Sequence, residues 1–190
     1  GAAGGIGSAT VEHLTGLGDV VVGFDLDGGG GGRAGAGELV AVDVRDPDAC
    51  RAACDQVVAE HGGIDVLCNN AGTSAVGDVV TSTPEEWERV LGVNVVGVAN
   101  MSRAALPHMR AAGHGVVVNT CSVAASVGLV ERAVYSASKG AVLALTRAMA
   151  ADEIAFGIRV CCVSPGTVAS PWVERLVADT DDPEATREAL

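Results

Sequence analysis

The chain has 190 residues, 48% apolar and 19% charged, enough for one globular α/β domain with a sizeable core and too apolar for a disordered polymer. Twelve Lys and Arg stand against 24 Asp and Glu, a formal charge of −12, which argues against a nucleic-acid partner because phosphate binding needs clustered cations. No stretch approaches the roughly 18 apolar residues of a membrane span.

"GAAGGIG" (1–7) precedes a helical pattern over 6–17. Glycines at 1, 5 and 7 let the backbone turn tightly and approach a pyrophosphate, which the helix N-terminus then meets with free N–H groups and a positive dipole end. The spacing is G-x3-G-x-G rather than G-x-G-x-x-G. "DVVVGFDLD" (19–27) reads as a buried strand. Asp25 ends it, 18 residues after Gly7, where an acid can bind the adenosine ribose hydroxyls and repel a 2′-phosphate. Residues 2–4 and Leu26 supply no Arg or Lys for such a phosphate, so NAD is expected over NADP. Asp25 also suits a strand-end turn.

The run "DGGGGGRAGAG" (27–37) reads as a loop or a degenerate helix. A strand follows at 37–44, ending in Asp43 and Val44. Asp43 can accept a hydrogen bond from an adenine amino group, with Val44 in backbone contact; a loop-start aspartate fits equally well. A helix over 47–61 leads to a strand over 64–70, closed by "NNAG" (69–72). There Asn70 can pin neighbouring backbone while Ala71 and Gly72 let the chain pass close to a ligand, although turn chemistry explains the same residues. The signal Thr83-Pro84-Glu85-Glu86 starts a helix over 84–112, whose apolar face Asn94 interrupts; a buried amide there should find a partner, such as a water chain to Lys139.

"GVVVNTCS" (115–122) is a strand ending in Ser122, whose hydroxyl can donate to a substrate oxygen. The helix over 134–156 carries Tyr135 and Lys139, neighbours at i and i+4. An adjacent ammonium should lower the tyrosine pKa from its usual value near ~10, and a cationic nicotinamide should lower it further, giving a general base. "IRVCCVSP" (158–165) is the last strand. This β-α alternation predicts a parallel sheet with helices on both faces.

The six cysteines form no CxxC pair or spaced Cys/His cluster, so reduced and mostly buried thiols in a cytoplasmic protein are expected, with no metal site. The four histidines are scattered, which suits surface or capping roles. Both ends read as incomplete, lacking the first, central strand and the last one.

Together GAAGGIG, Asp25, Asp43-Val44, NNAG, Asn94, Ser122, YSASK and "SPGTVASP" resemble the short-chain dehydrogenase/reductase family in order and spacing, with Ser122 and Asn94 lying 13 and 41 residues before Tyr135. The resemblance covers nearly the whole chain. It implies a single Rossmann-like, doubly wound domain over 1–190 and a catalytic tetrad of Asn94, Ser122, Tyr135 and Lys139. It places Gly1, Gly5, Ile6, Gly7, Asp25, Asp43, Val44, Asn70, Ala71 and Gly72 around NAD, with Pro165, Gly166, Thr167 and Val168 beside the nicotinamide; Tyr135 and Lys139 also meet the cofactor. It further implies a small alcohol or ketone substrate and a homo-oligomer, a tetramer or dimer built on the helices of Asn94 and Tyr135. "SPGTVASPWVERL" resembles the branch that oxidises sugars and sugar acids, which would set Trp172, Glu174 and Arg175 against a polar substrate. The competing readings are a 3-oxoacyl or steroid-type reductase, a non-catalytic nucleotide-binding protein and an inactive fragment. The chain departs from the family at Ser170, where threonine is common, and in the glycines that replace a helix after the second family strand.

Overall fold

The computed structural model describes residues 1–27, 38–169, 173, 177, 178 and 184. The expectations for the glycine run at 28–37 and for Ser170, Trp172, Glu174 and Arg175 fall outside these residues. In chain order the elements are α1 (Gly5–Gly16), β1 (Val22–Asp25), β2 (Glu38–Ala41), α2 (Pro47–His61), β3 (Val66–Asn69), α3 (Pro84–Leu91), α4 (Gly97–Ala112), β4 (Gly115–Thr120), α5 (Ala133–Glu153) and β5 (Ile158–Val163). Each strand lies inside the run expected for it and stops before that run ends.

Local chemistry sets the helix starts. Asp46 caps α2, its side chain accepting from the backbone N–H groups of Asp48 and Ala49, with Pro47 in the first turn. Thr83 and Glu86 cap α3 reciprocally: Thr83 N donates to Glu86 Oε2 at 3.0 Å and Glu86 N to Thr83 Oγ1 at 3.3 Å. The helix expected over 84–112 is one unbroken helical run, but its hydrogen bonding changes part-way along. A π-helical turn over Gly92–Val96 separates α3 from α4. Such a turn widens the helix by one residue and is common at functional sites; here it carries Asn94, which is buried.

All strand pairs are parallel, in a two-stranded sheet (β1 with β2) and a three-stranded sheet in the order β3-β4-β5. This is the Rossmann-like α/β class. Among the described residues β1 and β3 are not paired. Backbone from the glycine turn lies between them at the carboxyl end: the nitrogens of Gly1 and Ala2 both donate to Phe24 O, and Asn70 Nδ2 donates to Gly1 O at 3.0 Å. The sheet reverses its winding direction here, which is where ligands of such folds bind.

The core lies on one face of the three-stranded sheet, where Leu67, Val117 and Ile158 pack with Cys50 and Cys54 of α2, Met101, Ala105 and Met109 of α4 and Val142 and Met149 of α5. The core holds one polar ladder. Asn69 Nδ2 donates to Asn119 Oδ1 at 2.9 Å and to Ser102 Oγ at 3.2 Å, and Asn119 Nδ2 donates to Thr146 Oγ1 at 2.9 Å. All four residues are buried, so each bond has replaced one to water, and the ladder ties β3 and β4 to α4 and α5.

The cysteines depart from the expectation of mostly buried thiols. All six are free, but only Cys50, Cys54 and Cys121 are buried, while Cys68 and Cys161 are exposed. Strand alternation is the reason: Cys68 and Cys161 flank Val118 in register, on the face opposite Leu67, Val117 and Val160. Among the described residues no helix is long and apolar enough to cross a membrane.

Candidate active site

The glycine turn is shaped by close approach. A Cβ on Gly1 would lie 2.6 Å from Ala71 Cα, and one on Gly7 would lie 2.0 Å from Gly1 O. Neither position accepts a side chain. Helix α1 then begins without a side-chain cap and without an acid in its first turn, so its leading N–H groups are open to an anion.

Asp25 ends β1 facing this turn. Its Oδ2 accepts from Ala3 N at 2.9 Å and its Oδ1 from Leu26 N at 2.8 Å. Burial pushes its carboxyl up, but the Ala3 hydrogen bond, the Gly1 amino group and the Leu26 bond together outweigh that and hold its pKa below the ordinary value. Asp25 is therefore ionised at neutral pH. Asp43 is gripped by Arg45, whose guanidinium donates to both carboxylate oxygens (Nε at 3.0 and 3.1 Å) and whose backbone N–H donates to Oδ1 at 2.9 Å. These contacts, the side-chain bond first, also hold the Asp43 pKa down. Val44 O accepts from Asn100 Nδ2 at 2.9 Å. Asn70 pins the turn as its sequence position suggested, donating to Gly1 O while its Oδ1 accepts from Thr120 Oγ1 at 3.2 Å.

Asn94 makes three side-chain hydrogen bonds to protein. Its Oδ1 accepts from Thr73 N at 2.8 Å, and its Nδ2 donates to Thr73 O and to Ser138 Oγ, both at 2.9 Å. It thereby clamps the segment after β3 onto α5. Lys139, also buried, donates from Nζ to Thr120 O at 2.8 Å. The two groups flank Gly72: a Cβ there would meet Asn94 Oδ1 at 3.4 Å and Lys139 Nζ at 3.7 Å.

Ser122 follows β4, and its Oγ accepts from Ala124 N at 3.2 Å. Tyr135 lies in the first turn of α5. The expectation that Lys139 lowers the tyrosine pKa is not met. Burial dominates and raises it; a hydrogen bond with Ser122 pulls in the other direction without prevailing. Burial likewise lowers the pKa of Lys139, opposed by nearby Cys121. Both shifts have one cause, since each group has left water and neither charge is repaid in full.

These residues line one cleft of about 890 Å³, within the usual size range for a cofactor site. Of the positions singled out from the sequence, Gly1, Gly5, Ile6, Asp25, Asp43, Val44, Asn70, Ala71, Gly72, Ser122, Tyr135, Lys139, Pro165, Gly166, Thr167 and Val168 line it. Gly7 and Asn94 do not; they stand behind Gly1 and Gly72 and support them. Pro165 O accepts from Val123 N at 3.0 Å, which joins the segment after β5 to the turn after Ser122. Sequence reasoning missed Arg45, Thr73, Arg89, Thr120, Leu129 and Arg132, all in the lining. The Asp-x-Arg spacing could have revealed Arg45. Thr120 could not have been found, because Lys139 uses its backbone carbonyl.

Fold and cleft together define a nucleotide-binding α/β protein of the Rossmann type, an oxidoreductase scaffold in which a phenol and an ammonium face the ligand end. The chain belongs to the short chain dehydrogenase family, whose model matches residues 1–181. It is 38% identical to the cis-4-hydroxycyclohexanecarboxylate dehydrogenase of Sinomonas cyclohexanicum, across 100% of this chain and 80% of that one. Among solved structures it resembles an NAD+-bound xylitol dehydrogenase (TM-score 0.92, 30% identity, 99% of this chain and 80% of that one). It also resembles a gluconate 5-dehydrogenase from Burkholderia cenocepacia in complex with NADP and tartrate (TM-score 0.87, 32% identity, 95% of this chain and 74% of that one).

Proposed function

We propose that the chain transfers hydride between NAD(H) and a secondary alcohol or its ketone, with Tyr135 as general base and a sugar or sugar acid as the favoured substrate. The observation that carries this reading is that Ser122, Tyr135 and Lys139 share a cleft with an uncapped helix N-terminus and an ionised Asp25. The residues present fit a dinucleotide. Gly1 and Gly7 pack against backbone with no room for a Cβ, which keeps the turn tight at the uncapped helix N-terminus that a pyrophosphate would meet, and Asp25 can take ribose hydroxyls while repelling a 2′-phosphate. That repulsion supports NAD rather than NADP; Arg45, the nearby cation, is already held by Asp43.

When bound, oxidised NAD would supply the hydride acceptor and a positive charge. The alcohol carbon loses its hydrogen as hydride, the Tyr135 phenolate takes the hydroxyl proton, and a carbonyl remains. Ser122 Oγ donates to the substrate oxygen as its bonding changes. Lys139 stabilises the phenolate and presents N–H groups to ribose hydroxyls. Asn94 is a positioning residue, fixing Thr73 and so the path of Gly72 past Lys139. Pro165, Gly166, Thr167 and Val168 turn the chain beside the nicotinamide and orient its ring. The helices carrying Asn94 and Tyr135 supply the contacts of a homo-oligomer.

The test is titration of the chain with NADH and NADPH, following the fluorescence of its two tryptophans, Trp87 and Trp172. Saturable NADH binding at least tenfold tighter than NADPH, lost selectively in Asp25→Ala, is the expected result. Equal binding of both cofactors would overturn the NAD assignment.

A further inference from the structure

Acids outnumber bases two to one in this chain, 24 to 12, yet the cleft does not share that balance evenly. Asp25, Asp27 and Asp43 line the end formed by β1 and the segment after β2. Arg132 lines the wall shared by Tyr135, Leu129 and Val123.

Among the described residues three arginines line the cleft; the fork of one is closed on a carboxylate and another is tied to the segment after β3 by two hydrogen bonds. Arg45 holds Asp43. Arg89 donates to Thr73 Oγ1 at 2.8 Å and to Ser74 O at 3.1 Å. Arg132 differs. Among the described residues no carboxylate lies within ion-pair distance of it, and its side chain makes one hydrogen bond, from a terminal nitrogen to its neighbour's carbonyl, Glu131 O, at 2.9 Å. A guanidinium has five N–H donors in a planar fork, so most of this one remains for a ligand.

Its placement is fixed by backbone. Arg132 is the residue just before α5, its backbone not yet helical, three residues ahead of Tyr135, and both line the cleft. Gly77 N donates to Glu131 O at 2.9 Å, Ala133 N donates to Gly77 O at 3.1 Å, and Ser136 N donates to Arg132 O at 2.8 Å. Glu131 is held left-handed, at φ 52°, the one non-glycine residue with positive φ among those described. A non-glycine residue keeps that conformation only where its surroundings impose it. The strained link and the bridge to Gly77 aim residue 132 before any substrate arrives.

We propose that Arg132 forms an anion subsite beside Tyr135 and selects secondary alcohols that carry a carboxylate. Its planar fork matches a carboxylate with two parallel bonds, and an acidic protein keeps few other cations to compete. The proposal rests on the dehydrogenase reading for the identity of the alcohol, but not for the binding of the anion.

The experiment compares the wild type with R132Q and R132K on 4-hydroxycyclohexanecarboxylate and on its methyl ester, with NADH and cyclohexanecarboxylate binding followed by calorimetry. In R132Q the KM for the acid should rise on the order of 10- to 100-fold with little change in kcat, while the ester is unaffected. R132K should recover part of the loss. Equal loss on acid and ester, or weaker NADH binding in R132Q, would overturn the subsite, since Arg132 would then serve the fold or the cofactor. A wild type that oxidises the ester but shows no preference for the acid sinks the subsite and leaves the dehydrogenase reading standing. A wild type that binds cyclohexanecarboxylate at least tenfold more tightly than R132Q, yet oxidises no alcohol, supports the subsite and sinks that reading.

Discussion

Lys139 Nζ lies 5.7 Å from the centroid of the Tyr135 ring and hydrogen-bonds Thr120 O, so the ammonium is anchored to β4 beneath the phenol. Burial outweighs this proximity and keeps the ligand-free phenol protonated. Tyr135 is the chain's single tyrosine, so absorbance at phenolate wavelengths reports it alone. The ligand-free protein should titrate above 10.0, the ordinary value, and adding NAD+ should move the midpoint down. The sign for stability follows. A raised phenol pKa means that the folded chain keeps a proton the unfolded chain has lost, so stability falls as pH climbs from 10.0 through the folded value. Lys139 acts oppositely: its lowered pKa adds stability above 10.5 that is lost as pH drops through its folded value. A ligand-free midpoint below 10 would show that the ammonium, not burial, governs the phenol.

Removing the phenol oxygen should separate chemistry from binding. Tyr135→Phe keeps the ring in its place on α5 and deletes the proton acceptor. Turnover should fall about 10³-fold or more, within the range of general acid-base effects, with NADH affinity changed by less than about threefold. Steady-state kinetics beside a fluorescence titration checks this. Parallel loss of both would mean that the ring hydroxyl is structural.

The glycine turn offers a paired test within one helix. A Cβ on Gly7 would fall 2.0 Å from Gly1 O, whereas one on Gly16 meets nothing within 4 Å. Gly7→Ala must shift the turn, so NADH binding should weaken more than tenfold and the melting temperature should drop. Gly16→Ala should stabilise the chain by roughly 0.5 kcal/mol through reduced backbone entropy of the unfolded state. Equal effects at both positions would contradict the close-packed cradle.

Asn94 is buried and makes three hydrogen bonds, so its loss strands Thr73 N and Thr73 O and takes from Ser138 Oγ its donor, leaving that hydroxyl only its bond to Tyr135 O. At about 1 kcal/mol for each bond, Asn94→Ala should cost roughly 3 kcal/mol in urea unfolding. Because the freed segment includes the residue after Gly72, kcat should fall as well. Full stability with lost activity would instead place Asn94 in direct contact with the reaction.

What the sequence determined by itself was the set of local signals. Asp46-Pro47 and Thr83-Pro84 mark helix starts through capping that needs only three or four neighbouring residues, and both appear as expected. Apolar β-branched runs located every strand, and Tyr135 and Lys139 had to share a helical face because their spacing is one turn. What depended on contacts between distant segments was legible only in three dimensions. The π-helical turn at Asn94 follows from partners 21 and 44 residues away, which no helical periodicity announces. Cys68 and Cys161 look like core residues in apolar runs, but strand alternation and the absence of a described helix over that face leave them exposed. The tyrosine shows the difference most sharply. Sequence spacing supplied the neighbouring ammonium, but a pKa depends on how much water remains around a group, and only the packing of α5 against the turn after β4 decided that.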